Sequence, residues 1–152
     1  NAVGAIAVAG VLGLDLQRAA DAISNSVLSE MRMQHRTACS GALIIDDSYN
    51  ANPASMTAAL HALSATKASR RIAVLGVMAE LSEPVQDHSQ ISGLAQKLGI
   101  EVLALGTDLY GVQSRTIDEI ATKLSALENT AAILVKGSRV AQLEKLVALL
   151  VG

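Results

Sequence analysis

Short apolar runs that each end in a polar loop and lead into a helical pattern constrain this chain most. Ala42-Leu43-Ile44-Ile45 gives way to Asp46-Asp47-Ser48-Tyr49-Asn50, then to a helix over 53–65 with Met56, Ala59, Leu60 and Leu63 on one face. Ile72-Ala73-Val74-Leu75 leads through Gly76-Val77-Met78-Ala79-Glu80 to a helix over 86–98 with Ile91, Leu94, Ala95 and Leu98 aligned. A strand over 101–105 leads through Gly106-Thr107-Asp108 toward a helix over 117–125. Ala132-Ile133-Leu134-Val135 leads through Lys136-Gly137-Ser138-Arg139 to a terminal helix expected to bury Val140, Leu143, Leu146, Val147 and Leu150. Strands alternating with helices specify βαβ units. The expected fold class is therefore α/β, Rossmann-like, a mainly parallel sheet with helices on both faces. Arg32–Thr37 and Ala42–Asp46 flank a turn at Ser40-Gly41, which adds an antiparallel strand near the start. Ligands of such sheets bind at the carboxyl ends of the strands, where the polar loops lie.

Ahead of this pattern, Ala2 to Leu14 are all apolar or glycine. The spacing predicts a helix over 2–12. Asp15 caps a second, which runs to Asn25 with Leu16, Ala19, Ala20 and Ile23 at helical spacing, and residues 26–31 form a connector. The apolar run is shorter than the roughly 20 residues a bilayer span needs. It also lacks the basic flank of a signal peptide. A helix apolar on every side needs burial. The expectation is that residues 1–28 are the helical tail end of a preceding domain, cut from its partner, and that 29–152 are a domain of their own.

Half of the residues are hydrophobic, yet Phe and Trp are absent, so Leu, Ile, Val, Ala and Met must build the core. Charged residues make up 17%, below the roughly 25% of an average soluble protein, as expected if part of the surface faces another protein segment. The net charge of −2, with no basic tract, argues against a nucleic-acid partner. No membrane partner is expected either. The lone Cys39 has no partner for a disulfide, which suits a cytoplasmic setting. Neither His35 nor His61 has a partner pattern, and no metal-ligand spacing occurs.

The Asp46–Met56 stretch carries the most specific signal. Asn52 suits an N-cap and Pro53 the first helical position, but a capped turn does not account for two adjacent acids with Tyr49 and Asn50. The string resembles the D-D-S-Y-N-A-N-P-x-S-M signature of the Mur ligase family. Val135-Lys136-Gly137-Ser138-Arg139 before the last helix is also similar to that family. So is Leu75-Gly76-Val77-Met78-Ala79-Glu80-Leu81, where Val77 replaces a usual Asp, with His88 matching a His early in the next helix. Asn1-Ala2-Val3-Gly4-Ala5-Ile6-Ala7 is similar to the end of an H-N-x-x-N-A-x-A-A stretch. The segment between Gly106 and Ala131 is short for the family.

The resemblance implies a carboxy-terminal domain with the end of a central ATPase domain attached, its own central domain being its partner. Such ligases use ATP and Mg²⁺ to phosphorylate a peptide carboxylate, and an amine then attacks the acyl phosphate and expels phosphate. The implied substrates are a UDP-N-acetylmuramoyl-tripeptide and D-alanyl-D-alanine. By resemblance, Asn1, Arg32, Asp47, Tyr49, Asn50 and Asn52 belong to the ATP side; Asn50 and Asn52 serve there as nucleotide contacts or loop-shaping residues. Met31 stands before Arg32 where Gly is common. Lys136, Ser138 and Arg139 are implied on the side of the incoming dipeptide. No metal ligand and no catalytic residue is implied within the chain. The G-x-x-G-K-[ST] phosphate loop is absent, so the chain is expected to hold no nucleotide by itself and to be inactive alone. A sister ligase of the folylpolyglutamate or cyanophycin synthetase type shares the architecture and stays open, as does a non-catalytic interaction module. A dinucleotide-binding oxidoreductase would need G-x-G-x-x-G, which does not occur.

Overall fold

A computed structural model of the chain describes residues 2–24 and 30–152. Two helices, α1 (Ala2–Val11) and α2 (Leu16–Ser24), pack on each other at the start. There follow β1 (Gln34–Thr37), β2 (Leu43–Asp47), α3 (Pro53–Ala65), β3 (Arg70–Leu75), α4 (Pro84–Lys97) and β4 (Glu101–Leu105). The chain ends with β5 (Ser114–Arg115), α5 (Ile117–Ser125), β6 (Ala131–Lys136), a 3₁₀ turn at Arg139–Ala141 and α6 (Glu144–Val151).

The sheet runs in the order β1-β2-β6-β3-β4-β5. β1 pairs antiparallel with β2, Gln34 opposite Asp46, and every other pairing is parallel. Side chains alternate between the two faces of a strand, and this sorts the core into two layers. Ile45, Leu75 and Leu134 pack with Met56, Leu60 and Leu63 of α3 and Ile91 of α4. Ile44, Val74, Ile133 and Val135 pack with Ile120 and Leu124 of α5 and Leu146 and Leu150 of α6. The expected α/β class, with helices on both faces and an antiparallel strand at the start, is the observed one. Parallel β2, β6, β3 and β4 bring their carboxyl ends, and hence the polar loops, to one edge.

Local chemistry explains the best-defined helix start. Asn52 Oδ1 accepts the Ser55 amide (2.8 Å) and Ser55 Oγ accepts the Asn52 amide (3.1 Å), a reciprocal capping box with Pro53 next to it. Asp15 Oδ1 accepts the Arg18 amide, as expected of a cap.

Several expectations need correction. The terminal helix does not follow directly on Arg139: the chain first makes the 3₁₀ turn, Gln142 turns left-handed (φ 50°), and α6 begins at Glu144. Val140, in that turn, is 71% exposed rather than buried. The two-residue β5 adds an edge strand that the sequence pattern did not reveal. The apolar α1, expected to lack its burial partner, buries Ala9 but leaves Val3 and Val11 81% and 88% exposed. Asn25 and most of the expected connector lie outside the described residues. No helix among the described residues is long and apolar enough to cross a membrane.

Candidate functional site

The loops after β2, β3 and β6 meet at the carboxyl edge. Strand alternation separates the adjacent acids of β2. Asp46 turns toward the α5/α6 face, buried, where Ser48 Oγ donates to Oδ1 (2.6 Å) and Arg36 Nε lies 3.5 Å from Oδ2. Asp47 turns to the other face, where it is in register with Lys136 of β6.

Lys136 is buried, and its Nζ donates to Asp47 Oδ2 (2.6 Å) and to the Asn50 carbonyl (2.9 Å). It is therefore tied to the Asp47 loop and neutralises that carboxylate. The second oxygen of Asp47 accepts the Met33 amide (3.1 Å). The Asp47 side chain keeps 14% of its surface, and a carboxylate has lone pairs beyond the two used, so it can still accept from a hydroxyl outside.

Tyr49 stands 40% exposed at the tip of the loop. The Arg32 guanidinium lies 4.3 Å from its ring centroid and that of Arg139 5.7 Å from the same centroid. Arg32 and Arg139, which enter on different loops, are thus held to one ring by cation–π attraction. Neither takes part in an ion pair among the described residues, so both charges remain available to an anion. Arg32 sits between two strained residues: Met31 (φ 59°) and Met33 (φ 50°) are both left-handed. A non-glycine residue in that conformation costs about 1–2 kcal/mol, which is the physical reason glycine suits position 31.

Ser138 stands at the N-cap of the 3₁₀ turn, but its side chain makes no capping hydrogen bond. Its Oγ accepts the Ala79 amide (3.0 Å), and its own amide donates to the Val77 carbonyl (2.8 Å). These bonds fasten the loop after β6 to the loop after β3. Val77 contributes to this through its backbone alone. The two loops touch closely at glycines: a Cβ on Gly137 would lie 2.9 Å from the Gly76 Cα.

A cleft of about 230 Å³ is lined by Tyr49, Asn50, Glu80, Ser138 and Arg139. Larger hollows exist, one of about 500 Å³ between α5, α6 and the Cys39–Ser40 turn, but it holds none of the candidate site residues. Asn50 and Asn52 shape the loop: Asn50 Oδ1 accepts the Ala51 amide (2.8 Å), and the Asn52 side chain is spent on its helix cap. His88 is buried and structural. Its Nε2 accepts the Met78 amide (3.0 Å), which leaves the proton on Nδ1 facing the Pro84 carbonyl. Asn1 lies outside the described residues. No group of three metal-ligating side chains occurs among the described residues.

An open, mainly parallel α/β sheet thus gathers two guanidiniums, neither in an ion pair among the described residues, and a partly exposed carboxylate at its carboxyl edge, where such sheets bind their ligands. The profile of the Mur ligase, glutamate ligase domain, matches residues 31–151, and the chain belongs to the Mur ligase family. It is 35% identical to the UDP-N-acetylmuramoyl-tripeptide–D-alanyl-D-alanine ligase of Escherichia coli K12, over 97% of this chain and 35% of that protein. It is 42% identical to the ligase of the same name from Mycobacterium tuberculosis H37Rv, over 69% of this chain and 22% of that protein. Among solved structures, MurF from Acinetobacter baumannii superposes with a TM-score of 0.83 at 30% identity, over 99% of this chain and 36% of that one. MurF from Thermotoga maritima in complex with ADP shares the fold, with a TM-score of 0.76 at 24% identity, over 95% of this chain and 35% of that one. The chain thus spans about a third or less of the proteins it matches.

Proposed function

We propose that this chain is the carboxy-terminal part of an ATP-dependent ligase that joins D-alanyl-D-alanine to a UDP-N-acetylmuramoyl-tripeptide. The observation that carries the reading is the meeting of the Asp47–Tyr49 loop and the Ser138–Arg139 loop at one cleft. The relatives named above support it, since both carry that activity in their names. Residues 29–152 are read as the carboxy-terminal domain. Residues 1–28 are read as the tail of the central domain; the exposed apolar α1 and the start of the family match at residue 31 support this.

On this reading Arg32 meets a nucleotide phosphate, and Asp47 accepts a ribose hydroxyl through its uncovered surface. Tyr49 holds Arg32 and Arg139 together, and Ser138 fixes the loop from which Arg139 reaches the dipeptide carboxylate. A guanidinium fork matches a carboxylate in two-point contact. ATP supplies the phosphoryl group that activates the tripeptide carboxylate. The described residues hold no group of three metal-ligating side chains, and on this reading Mg²⁺ and the phosphate loop belong to the central domain. Cytoplasmic location follows from the soluble precursors of the proposed reaction.

The test uses the full-length protein with ATP, Mg²⁺, the tripeptide precursor and D-alanyl-D-alanine. Phosphate release that requires all of them is the expected result, with none from this chain alone. Release driven by another amine and not by D-alanyl-D-alanine would favour a sister ligase.

A further inference from the structure

We infer that Tyr110 is a positioning residue that holds the Ser138–Arg139 loop from behind, acting through the Gly76 carbonyl. The inference rests on the proposed reading of Arg139 as a dipeptide contact, but its geometry stands apart from that reading.

Tyr110 lies in the loop between β4 and β5, is 2% exposed, and donates its hydroxyl to the Gly76 carbonyl at 2.8 Å. Its ring meets His88 edge-on, with centroids 4.8 Å apart. His88 in turn accepts the Met78 amide. One aromatic pair therefore grips both ends of the Gly76–Met78 segment. That segment is the backing of the dipeptide-side loop: the Gly76 amide donates to the Lys136 carbonyl (2.9 Å), the Val77 carbonyl accepts the Ser138 amide, and the Ala79 amide donates to Ser138 Oγ. Gly76 also packs backbone to backbone on Gly137. Little slack separates Tyr110 from the residue next to Arg139. Burial pushes the Tyr110 phenol above its ordinary pKa, so it stays a donor at neutral pH. The loop after β4 thus gains a task although it lies outside the cleft.

Tyr110→Phe keeps the ring against His88 and leaves the Gly76 carbonyl without its donor. In the full-length protein, hydrogen exchange should speed at least about fivefold in peptides covering 76–80 and 137–141, while α3 is unchanged. KM for D-alanyl-D-alanine should rise about three- to tenfold, with KM for ATP within about twofold. Unchanged exchange in those peptides overturns the inference. So does faster exchange spread over the whole sheet, which would make Tyr110 an ordinary core residue, and so does local loosening without a change in the dipeptide KM. If the wild-type protein shows no dipeptide-dependent phosphate release, the proposed function fails, and the exchange result still decides whether Tyr110 holds the loop.

Discussion

Asp47 and Lys136 are register partners on adjacent parallel strands, and their side chains meet at 2.6 Å with the lysine 2% exposed. The family resemblance put one on the nucleotide side and the other on the dipeptide side. The geometry makes them one unit that joins the two loops. Removing one partner strands the other, which for a buried pair costs 3–5 kcal/mol; with Asp47 partly exposed, about 2–3 kcal/mol is expected for Lys136→Met or Asp47→Asn. The double variant should lose less than the sum of the singles, with a coupling of about 1 kcal/mol or more, in denaturant titrations. Additive losses would show that the pair does not act as a unit. Asp47 substitutions are thus expected to weaken the fold as well as ATP use.

The crossing of the two glycines gives a second prediction. A Cβ on Gly137 would stand 2.6 Å from the Leu143 Cδ1 and 2.9 Å from the Gly76 backbone. Leu143 is buried and the other neighbour is main chain, so neither yields easily. Gly137→Ala should cost about 1–3 kcal/mol, the ordinary range for overpacking, and should spread the loops that carry Ser138 and Val77. Gly93→Ala, where a Cβ meets nothing within 4 Å, is the control and should be neutral or stabilising in the same melts.

Most of the fold could be read from the sequence because its central strands, β2, β6 and β3, are buried on both faces and most of its helices show an apolar stripe. What escaped had no periodic signal. A two-residue strand such as β5 carries no alternation. The 3₁₀ turn at Arg139–Ala141 interrupts an apolar spacing that reads as continuous helix, which is why Val140 was misplaced. Lys136 looked like a loop cation because lysine is seldom buried without a partner. Its partner, Asp47, sits far away in sequence and is set only by the register of β2 on β6. Tyr110 was invisible for the same reason: its hydroxyl finds Gly76 across the sheet edge. The residues drawn from the family resemblance did gather at one edge, apart from Asn1, outside the described residues, and Asn52, occupied by its cap.

Glu101 bridges Arg70 and Lys123, each at 2.6 Å. Burial would raise its pKa, but hydrogen bonds and charge from Lys123 and Arg70 outweigh that and hold it below the usual carboxylate value. A depressed folded-state pKa stabilises above the unfolded value, and the stabilisation fades as pH falls through the folded one. Because the site is about a third exposed, solvent screening limits the two pairs to about 1 kcal/mol together. Wild type should exceed Glu101→Gln by that margin near pH 7, and the gap should close as pH falls below the usual carboxylate range. A gap that persists in acid would mean the glutamine disturbs packing instead.

Tyr49 offers the sharpest test of how the two sides of the cleft communicate. Its ring lies 4.3 Å from the Arg32 guanidinium and 5.7 Å from that of Arg139, and its hydroxyl takes no part in either contact. Tyr49→Phe should therefore leave both Michaelis constants of the full-length ligase within about twofold. Tyr49→Leu removes the π face, and exposed cation–π contacts are worth about 0.5–1 kcal/mol each, so the constants for ATP and for D-alanyl-D-alanine should each rise about two- to fivefold. Arg139→Lys keeps a charge but loses the fork, and should raise the dipeptide constant while the ATP constant moves much less. Arg139→Ala should raise it further. The contrast is the point: one ring serves both substrates, one arginine serves the amine. If Arg139→Lys raises both constants together, Arg139 works in nucleotide binding or domain closure; if neither moves, it is a solvated charge beside Tyr49.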